Sequence, residues 1–464
     1  MRTRLRLSLI LLVLVASSVA QQQISADLRA KIDEIAKQSL ATTGVPSALI
    51  AVVKDGQVVY TQAYGDARVE PKVPARTDMR YGVGSISKQF TAAALLLLQE
   101  QGKLKLDDPV GKYIPDLTRA NEVTIRQLLS HTSGYQDYWP QDYLMPFIMK
   151  PTTPEQIMDR WARKPLDFDP GTKWQYSNTN YTIAGAIIEK VSGQPILQFL
   201  TEHIFKPLAM HSVLDIDESH PTETDAVGYL RYALGPPRVA PLEGKGWMFA
   251  AGELYMTPAD LAKWNISMIN QTILKPESYK EMETEVRLKN GEGTHYGLGV
   301  SLYSNQGHRV VEHSGEVSGF VAENIVLPDD KVAVTVLTNQ DASGAAGAIG
   351  TKIVPLLFPQ QTVSSSADLD RARKVFEGLQ HGKIDRSQFT EDANFYFSEQ
   401  ALQDFASSLG PLGQIQEFTA ARTSLRGGMT YRGFRVKIGG KDLAISTFET
   451  PDGKYEQYMV SPRE

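Results

Sequence analysis

The 464-residue sequence contains no cysteine. That absence excludes disulfides, a thiol nucleophile, thiolate-bound metals and the lipidated cysteine of a bacterial lipoprotein. Histidines and acids nowhere fall at metal-ligand spacing, so neither a metal nor any other cofactor is expected. Basic tracts are also lacking, which argues against a nucleic-acid partner, and no repeat of solenoid period is visible. A membrane anchor needs about 20 apolar residues, and the first twenty positions supply fewer. Instead "MRTRLRLSLILLVLVASSVA" has the order of a secretory signal peptide: three arginines, an apolar run from Leu7 to Val15, and the small-residue ending Ser18-Val19-Ala20. Cleavage after Ala20 moves the formal net charge from -5 to -8. A mildly acidic exported protein is expected, periplasmic or extracellular, with no stable membrane anchor.

What is present fits a soluble globular chain, 42% hydrophobic and 22% charged, long enough for two domains and a buried cleft. "SALIAVVKDGQVVYTQAYG" (Ser47 to Gly65) places two β-rich runs around Asp55-Gly56, a strong hairpin signal. "GFVAENIVLPDDKVAVTVLTN" (Gly319 to Asn339) repeats the pattern around Pro328-Asp329-Asp330 and is followed by a small-residue helical pattern, Ala342 to Phe358. Helical patterns and proline-rich loops lie between, so a sheet drawing strands from both ends of the region and packed with helices is expected. "PQQTVSSS" (Pro359 to Ser366) reads as a linker. Beyond it, helical patterns at Asp368 to Leu379 and Ser398 to Ser408 precede strand-like runs divided at Gly427-Gly428, Gly439-Gly440 and Asp452-Gly453. The expected organisation is a signal peptide at 1–20, a large domain at 21–358, a linker at 359–366 and a small α+β domain at 367–464.

Three stretches carry chemistry. In "YGVGSISKQFTAAALLLLQEQGKL", Ser85 stands three residues before Lys88 at the start of an apolar helix. Residues at i and i+3 share a helix face, so hydroxyl and amine meet. A serine hydroxyl becomes a nucleophile when a neighbour takes its proton, and a lysine can do so once desolvation or positive potential lowers its pKa. In "WQYSNTNYTIAGAIIEKVSG", Tyr176 and Asn178 precede another amphipathic helix; the phenol could relay a proton if Lys88 depresses its pKa, and the amide could orient a substrate carbonyl. Serine and asparagine there would also suit a helix cap. In "HRVVEHSGEVSGF", a strand brings His313, Ser314 and Gly315 to a wall of the cleft. Elsewhere, His131 and Ser133 of "LLSHTSGY" read as part of a tight structural turn, whereas Glu253 and Tyr255 of "AAGELY" are expected to line the cleft.

The order Ser-x-x-Lys, Tyr-x-Asn, His-x-Gly resembles the penicillin-recognising serine hydrolases, above all the branch of class C β-lactamases, D-alanyl-D-alanine carboxypeptidases and esterases. "TIRQLLSHTSGY", "IFKPLAMHS" and "AAGELYMTPADLAKW" are similar to that branch as well, and the resemblance runs from about Ile24 to Phe358. It implies a β-lactamase/transpeptidase-like α+β fold, an antiparallel sheet packed with helices, and a secreted serine hydrolase working through an acyl-enzyme. Its implied roles are Ser85 as nucleophile, Lys88 as activating partner, Tyr176 as base and acid, and Asn178 as a substrate-amide contact. His313 stands where many members have lysine, which implies a weaker grip on a substrate carboxylate, with an ordinary imidazole charging below neutrality. Ser314 and Gly315 complete that strand, and the oxyanion hole is implied to be the backbone N–H of Ser85 and of Glu316. Small peptide, ester and β-lactam substrates remain open, as does a binding or scaffold protein that keeps the fold without turnover; the retention of Ser85, Lys88 and Tyr176 together favours the enzyme. The small C-terminal domain resembles the nuclear-transport-factor-like superfamily at the level of fold only.

Overall fold

The computed structural model describes residues 24–141, 143–218, 222–305, 307–358 and 366–463. The expected signal peptide lies outside the described residues, as does the expected linker up to residue 365. The chain divides into two compact units, meeting in sequence at Leu357 and Phe358.

The first unit is built on a seven-stranded antiparallel sheet. Its strands are β1 (Ser47–Lys54), β2 (Gln57–Arg68), β3 (Val73–Pro74), β4 (Ser301–Asn305), β5 (His308–Val317), β6 (Phe320–Leu327) and β7 (Val332–Thr338), in the order β3-β2-β1-β7-β6-β5-β4. The two hairpins expected from the sequence form where their turn residues demand. Asp55 and Gly56 both have positive φ, 53° and 71°, the geometry whose twist matches the flanking strands. At the other hairpin a short 3₁₀ turn, Pro328–Asp330, ends at Lys331 with φ 57°. Strands from the two ends of the unit then meet, with Ile50 opposite Val336.

β1 and β7 are apolar almost throughout because helices cover both sheet faces. Helix α1 (Ala26–Thr43) packs with a helix at Ala345–Ile353 on one face. A helix at Pro258–Asn270 covers the other, where Asn265 Nδ2 reaches Asn324 and Thr335. Helix α2 (Ser87–Glu100) is buried along most of its length, with the Phe90 ring packed at a tilt against Trp264, centroids 4.7 Å apart. Two boundaries differ from expectation. The Ala342-to-Phe358 pattern yields only Ala345–Ile353 as α-helix, continuing as a 3₁₀ turn that contains Pro355, a residue without the N–H an α-helix needs. Ser85 lies two residues before α2, in a 3₁₀ turn, Gly84–Ile86.

The second unit is an antiparallel meander, β8 (Ile415–Arg426), β9 (Met429–Ile438), β10 (Lys441–Glu449) and β11 (Tyr455–Pro462), with helices at Ser366–Gln380, Glu391–Tyr396 and Glu399–Leu409. Its turns fall at Gly427-Gly428 and Gly439-Gly440, each pair holding two positive φ angles. The middle helix has no counterpart among the sequence expectations. It is six residues long, too short for a periodic pattern to declare itself, though Thr390 caps it by accepting a hydrogen bond from Ala393 N–H.

The seam between the two ends of the large unit is tied by a fully buried residue, Asn339. Its Oδ1 accepts from Ser47 N–H (2.8 Å) and Ser47 Oγ (2.6 Å), and its Nδ2 donates to Val227 O (3.1 Å) and Ala67 O (3.3 Å). Alanine there leaves several buried polar groups unpaired, so Asn339→Ala should destabilise the protein by about 3 kcal/mol or more, the sum of two or three unsatisfied groups. Urea unfolding followed by tryptophan fluorescence checks this; a loss under about 1 kcal/mol would show that the seam does not depend on Asn339.

Candidate active site

The turn at Gly84–Ile86 projects Ser85 into a cleft of about 550 Å³. β5 presses against this turn. A Cβ on Gly315 would stand 1.9 Å from Val83 O, and one on Gly84, whose φ is 51°, would stand 2.6 Å from Glu316 N. Glycine at both positions is therefore a packing requirement, and the approach sets the backbone amides of Ser85 and Glu316 beside one another.

One turn on from Ser85, at the second position of α2, Lys88 is completely buried. Its Nζ lies 2.8 Å from each of three oxygens: Ser85 Oγ, Asn178 Oδ1 and Ala251 O. From the start of the helix Asn178–Ser192 and the residues before it come Asn178 and Tyr176, whose hydroxyl donates to Ser85 Oγ at 2.8 Å. The four residues proposed from sequence thus converge on one oxygen or its immediate neighbour. Ser314, Gly315 and Glu316 line the same cleft, as does the ring of His313.

Two further residues organise the site. Asp137 Oδ1 accepts from Asn178 N–H at 2.8 Å and from Asn178 Nδ2 at 3.2 Å. Because a carboxylate only accepts here, the Asn178 amide must turn its oxygen to Lys88. His131, in the left-handed region with φ 58°, lies beneath Tyr176 with ring centroids 4.2 Å apart, and its Nδ1 accepts from Ser177 N–H. The expected structural turn is what forms, and it serves as the floor of Tyr176. Sequence reading passed over Asp137, although an acid between Tyr135, Tyr138 and Trp139 is a signal, since a carboxylate among aromatics needs a partner.

A family model described as beta-lactamase matches residues 32–354. The chain belongs to the β-lactamase family of serine hydrolases. Protein flp of Staphylococcus aureus is 29% identical over 327 residues, which cover 68% of this chain and 64% of flp, so the chain spans just under two thirds of that relative. A D-stereospecific amidohydrolase from Streptomyces sp. is 29% identical in solved structure, covering 71% of this chain and 98% of its own, with a TM-score of 0.61. D-amino acid amidase from Ochrobactrum anthropi gives 27%, 72%, 98% and 0.62. The β-lactamase/transpeptidase-like fold expected from the sequence is therefore that of the large unit.

Within this β-lactamase-family site, burial decides the charges and corrects three expectations. Tyr176 is not depressed by Lys88: burial, joined by the Asp137 charge, raises its pKa well above the ordinary 10, so the phenol is neutral. His313 is not an ordinary imidazole. Burial and the nearby Lys88 charge lower it from 6.5 to about 4. Its Nδ1–H donates to Ser314 O, and its Nε2 accepts from Tyr296 OH at 2.7 Å, so the neutral ring has both nitrogens satisfied. Glu253 and Tyr255 do not line the cleft, which is lined by Ala251 and Gly252 instead. Tyr255 lies in a short central strand, Leu254–Met256; both side chains face inward, and burial raises both pKa values.

Lys88 shows the shift expected from sequence. Burial lowers it from 10.5 to about 7, against the opposing pull of Asp137 and Glu253. Because the folded value is depressed, the free amine is the majority form only above it. Labelling of Ser85 by a fluorophosphonate should then be slow near pH 5.5, rise through about pH 7 and level off by about pH 8.5. A rate that is flat across this range, or that rises equally in Lys88→Met, would show that Lys88 does not control the serine.

Proposed function

We propose that this chain hydrolyses amide or ester bonds through an acyl-enzyme on Ser85, with Lys88 as the general base. The observation that carries the reading is the set of three oxygens around Lys88 Nζ. A neutral amine has two N–H donors and one lone pair. The carbonyl oxygens of Asn178 and Ala251 take the two donors, which leaves the lone pair for the Ser85 hydroxyl proton.

In this reading Ser85 Oγ adds to the substrate carbonyl carbon while its proton passes to Lys88 Nζ. The resulting oxyanion is received by the adjacent backbone amides of Ser85 and Glu316. Collapse breaks the bond to the leaving nitrogen or oxygen, which takes its proton from the neutral Tyr176 phenol. Lys88 returns its proton to Tyr176, and water repeats the sequence to release the acid. Asn178 holds Lys88 and borders the substrate. The raised pKa of Tyr176 keeps the phenol protonated and fits poorly with a resting phenolate base.

Amide substrates are favoured over β-lactams. The amidohydrolase and amidase similar to this chain act on amides by their names, and neutral His313 supplies no charge for a substrate carboxylate. We further place the protein outside the cytoplasm, on the signal-peptide pattern of residues 1–20; among the described residues no helix is long and apolar enough to cross a membrane. Residues 367–464 form a separate domain in this reading.

Intact-protein mass spectrometry after fluorophosphonate treatment should show one adduct, on a peptide containing Ser85, and Ser85→Ala should lose both label and hydrolysis. Lys88→Ala combined with Tyr176→Phe should cost little more than the worse single change, since coupled groups fail together; losses that simply multiply would separate their roles. With His313 neutral above about pH 4, the ratio of kcat/KM for a carboxylate-bearing substrate over a neutral ester should stay flat between about pH 8 and pH 6. A ratio that climbs on acidification, and ceases to in His313→Gln, would restore the imidazole as a charge sensor.

A further inference from the structure

The cleft is unbalanced in charge. Asp137, Glu316 and Asp341 line it, and among its described lining residues there is no lysine or arginine. Lys88 gives no lasting cation, since above about pH 7 it is the free amine, and His313 is neutral as well. Asp137 is the carboxylate tied to the reacting atoms. A chain of contacts runs from Ser85 Oγ to Lys88 Nζ, to Asn178 and to Asp137. Among the described residues its hydrogen-bond partners are amides, those of Asn178 and the backbone N–H of Trp139, and none is a cation. Its charged neighbour is Lys88, across Asn178, and a carboxylate buried in the cleft wall loses that support as the lysine becomes the free amine, unless a ligand supplies a cation.

We propose that Asp137 is a specificity residue that receives an ammonium group of the substrate, so that the cleft takes amides and esters of amino acids, or short peptides, with a free α-amine. This rests on the acyl-enzyme reading above and names its substrate class. In such a substrate the ammonium nitrogen is two bonds from the carbonyl carbon that Ser85 attacks, and Ser85 and Asp137 line the same cleft. Trp139, Tyr143 and Leu144 line the same cleft and would receive an apolar side chain of that residue. A carboxylate in that position would instead add a further negative charge to three already there.

The pairing also acts on the base. Asp137 and Glu253 pull Lys88 toward the ammonium form, whereas neutral His131, His313, Tyr176 and Tyr181 around it carry no compensating charge. A substrate cation on Asp137 cancels part of that pull and leaves Lys88 more fully the free base. Binding of the correct substrate therefore prepares the nucleophile, and a neutral substrate does not.

The test measures ammonia release from D- and L-phenylalanine amide with a free amine, with an N-acetyl group and with an N-succinyl group. Wild-type kcat/KM for the better free-amine enantiomer should exceed that of its N-acetyl form by about ten- to a hundredfold, the ratio expected of one charge-assisted hydrogen bond. The N-succinyl form should be slower still. In Asp137→Asn the free-to-acetyl ratio should fall toward one; a ratio is read because the substitution also disturbs Asn178. Wild-type kinetics alone can overturn the proposal if Asp137→Asn does not fold. A wild-type ratio near or below one, or a ratio unchanged by Asp137→Asn, overturns it. Turnover of p-nitrophenyl acetate that depends on Ser85, without turnover of either amide or without amine preference, overturns it while leaving the acyl-enzyme reading intact. Absence of any acylation at Ser85 removes both.

Discussion

The chemistry of this protein depends on the burial of one amine. Lys88 has no exposed surface, and its three hydrogen-bond partners among the described residues are oxygens that can hold a neutral amine as well as an ammonium. Burial lowers its pKa to about 7, whereas an unfolded lysine keeps its proton to about 10.4. The unfolded chain therefore binds more protons between those values, and the stability lost to this burial is greatest below pH 7 and is regained as pH rises toward 10. Any change that admits water beside Lys88 would relieve that cost and return the amine to an ordinary cation. Activation of the serine and relief of the fold pull in opposite directions here, and the tight contacts between β5 and the Ser85 turn, at Gly315 and Gly84, hold the balance.

That rigidity is assembled from distant parts of the chain. Ser85 comes from the turn before α2 and Lys88 from the first turn of α2, Tyr176 and Asn178 from the approach to and start of another helix, and the facing wall from β5. The antiparallel sheet brings β5 to its place through β6, which pairs His313 with Asn324 and Gly315 with Ala322. β7 joins this hairpin to β1, and Asn339 fastens the end of β7 to Ser47 and to the loop at Val227. The active cleft is thus held in part by contacts far from it, at Asn339 and along β1 and β7.

Much of this was legible in the sequence because it is written in local chemistry. Asp55-Gly56 and the glycine pairs of the C-terminal meander specify turns, and the run before Lys54 has the β-branched texture of a strand covered on both faces. Ser85 with Lys88, and Tyr176 with Asn178, stand close enough in sequence to be recognised as pairs. The short strands at Tyr81–Gly82 and Leu254–Met256 left no mark, since two or three residues cannot show a period. Environment was the harder quantity. His313 reads as an ordinary imidazole until Tyr296, seventeen residues away, is seen to close over it, and Glu253 reads as a cleft residue until it is seen to be buried just before the strand Leu254–Met256 at the centre of a small sheet. Residue type gives an intrinsic pKa; only the packed neighbours give its sign of departure.

The same distinction bears on what replaces a cation in this cleft. Family members with lysine in place of His313 carry a fixed positive charge there, by the resemblance drawn from sequence, whereas this chain has a neutral ring and a set of carboxylates. Simple loss of a lysine would leave a neutral wall, indifferent to substrate charge. Here Asp137 is held by the N-terminal amide of the Asn178–Ser192 helix, where the helix dipole favours an anion, and burial alone raises its pKa against that support. A fold that needed Asp137 only to orient Asn178 could use a neutral acceptor and avoid burying charge. The retained carboxylate means that the field in this cleft is inverted, with the negative pole fixed by the protein and the positive pole left to the substrate.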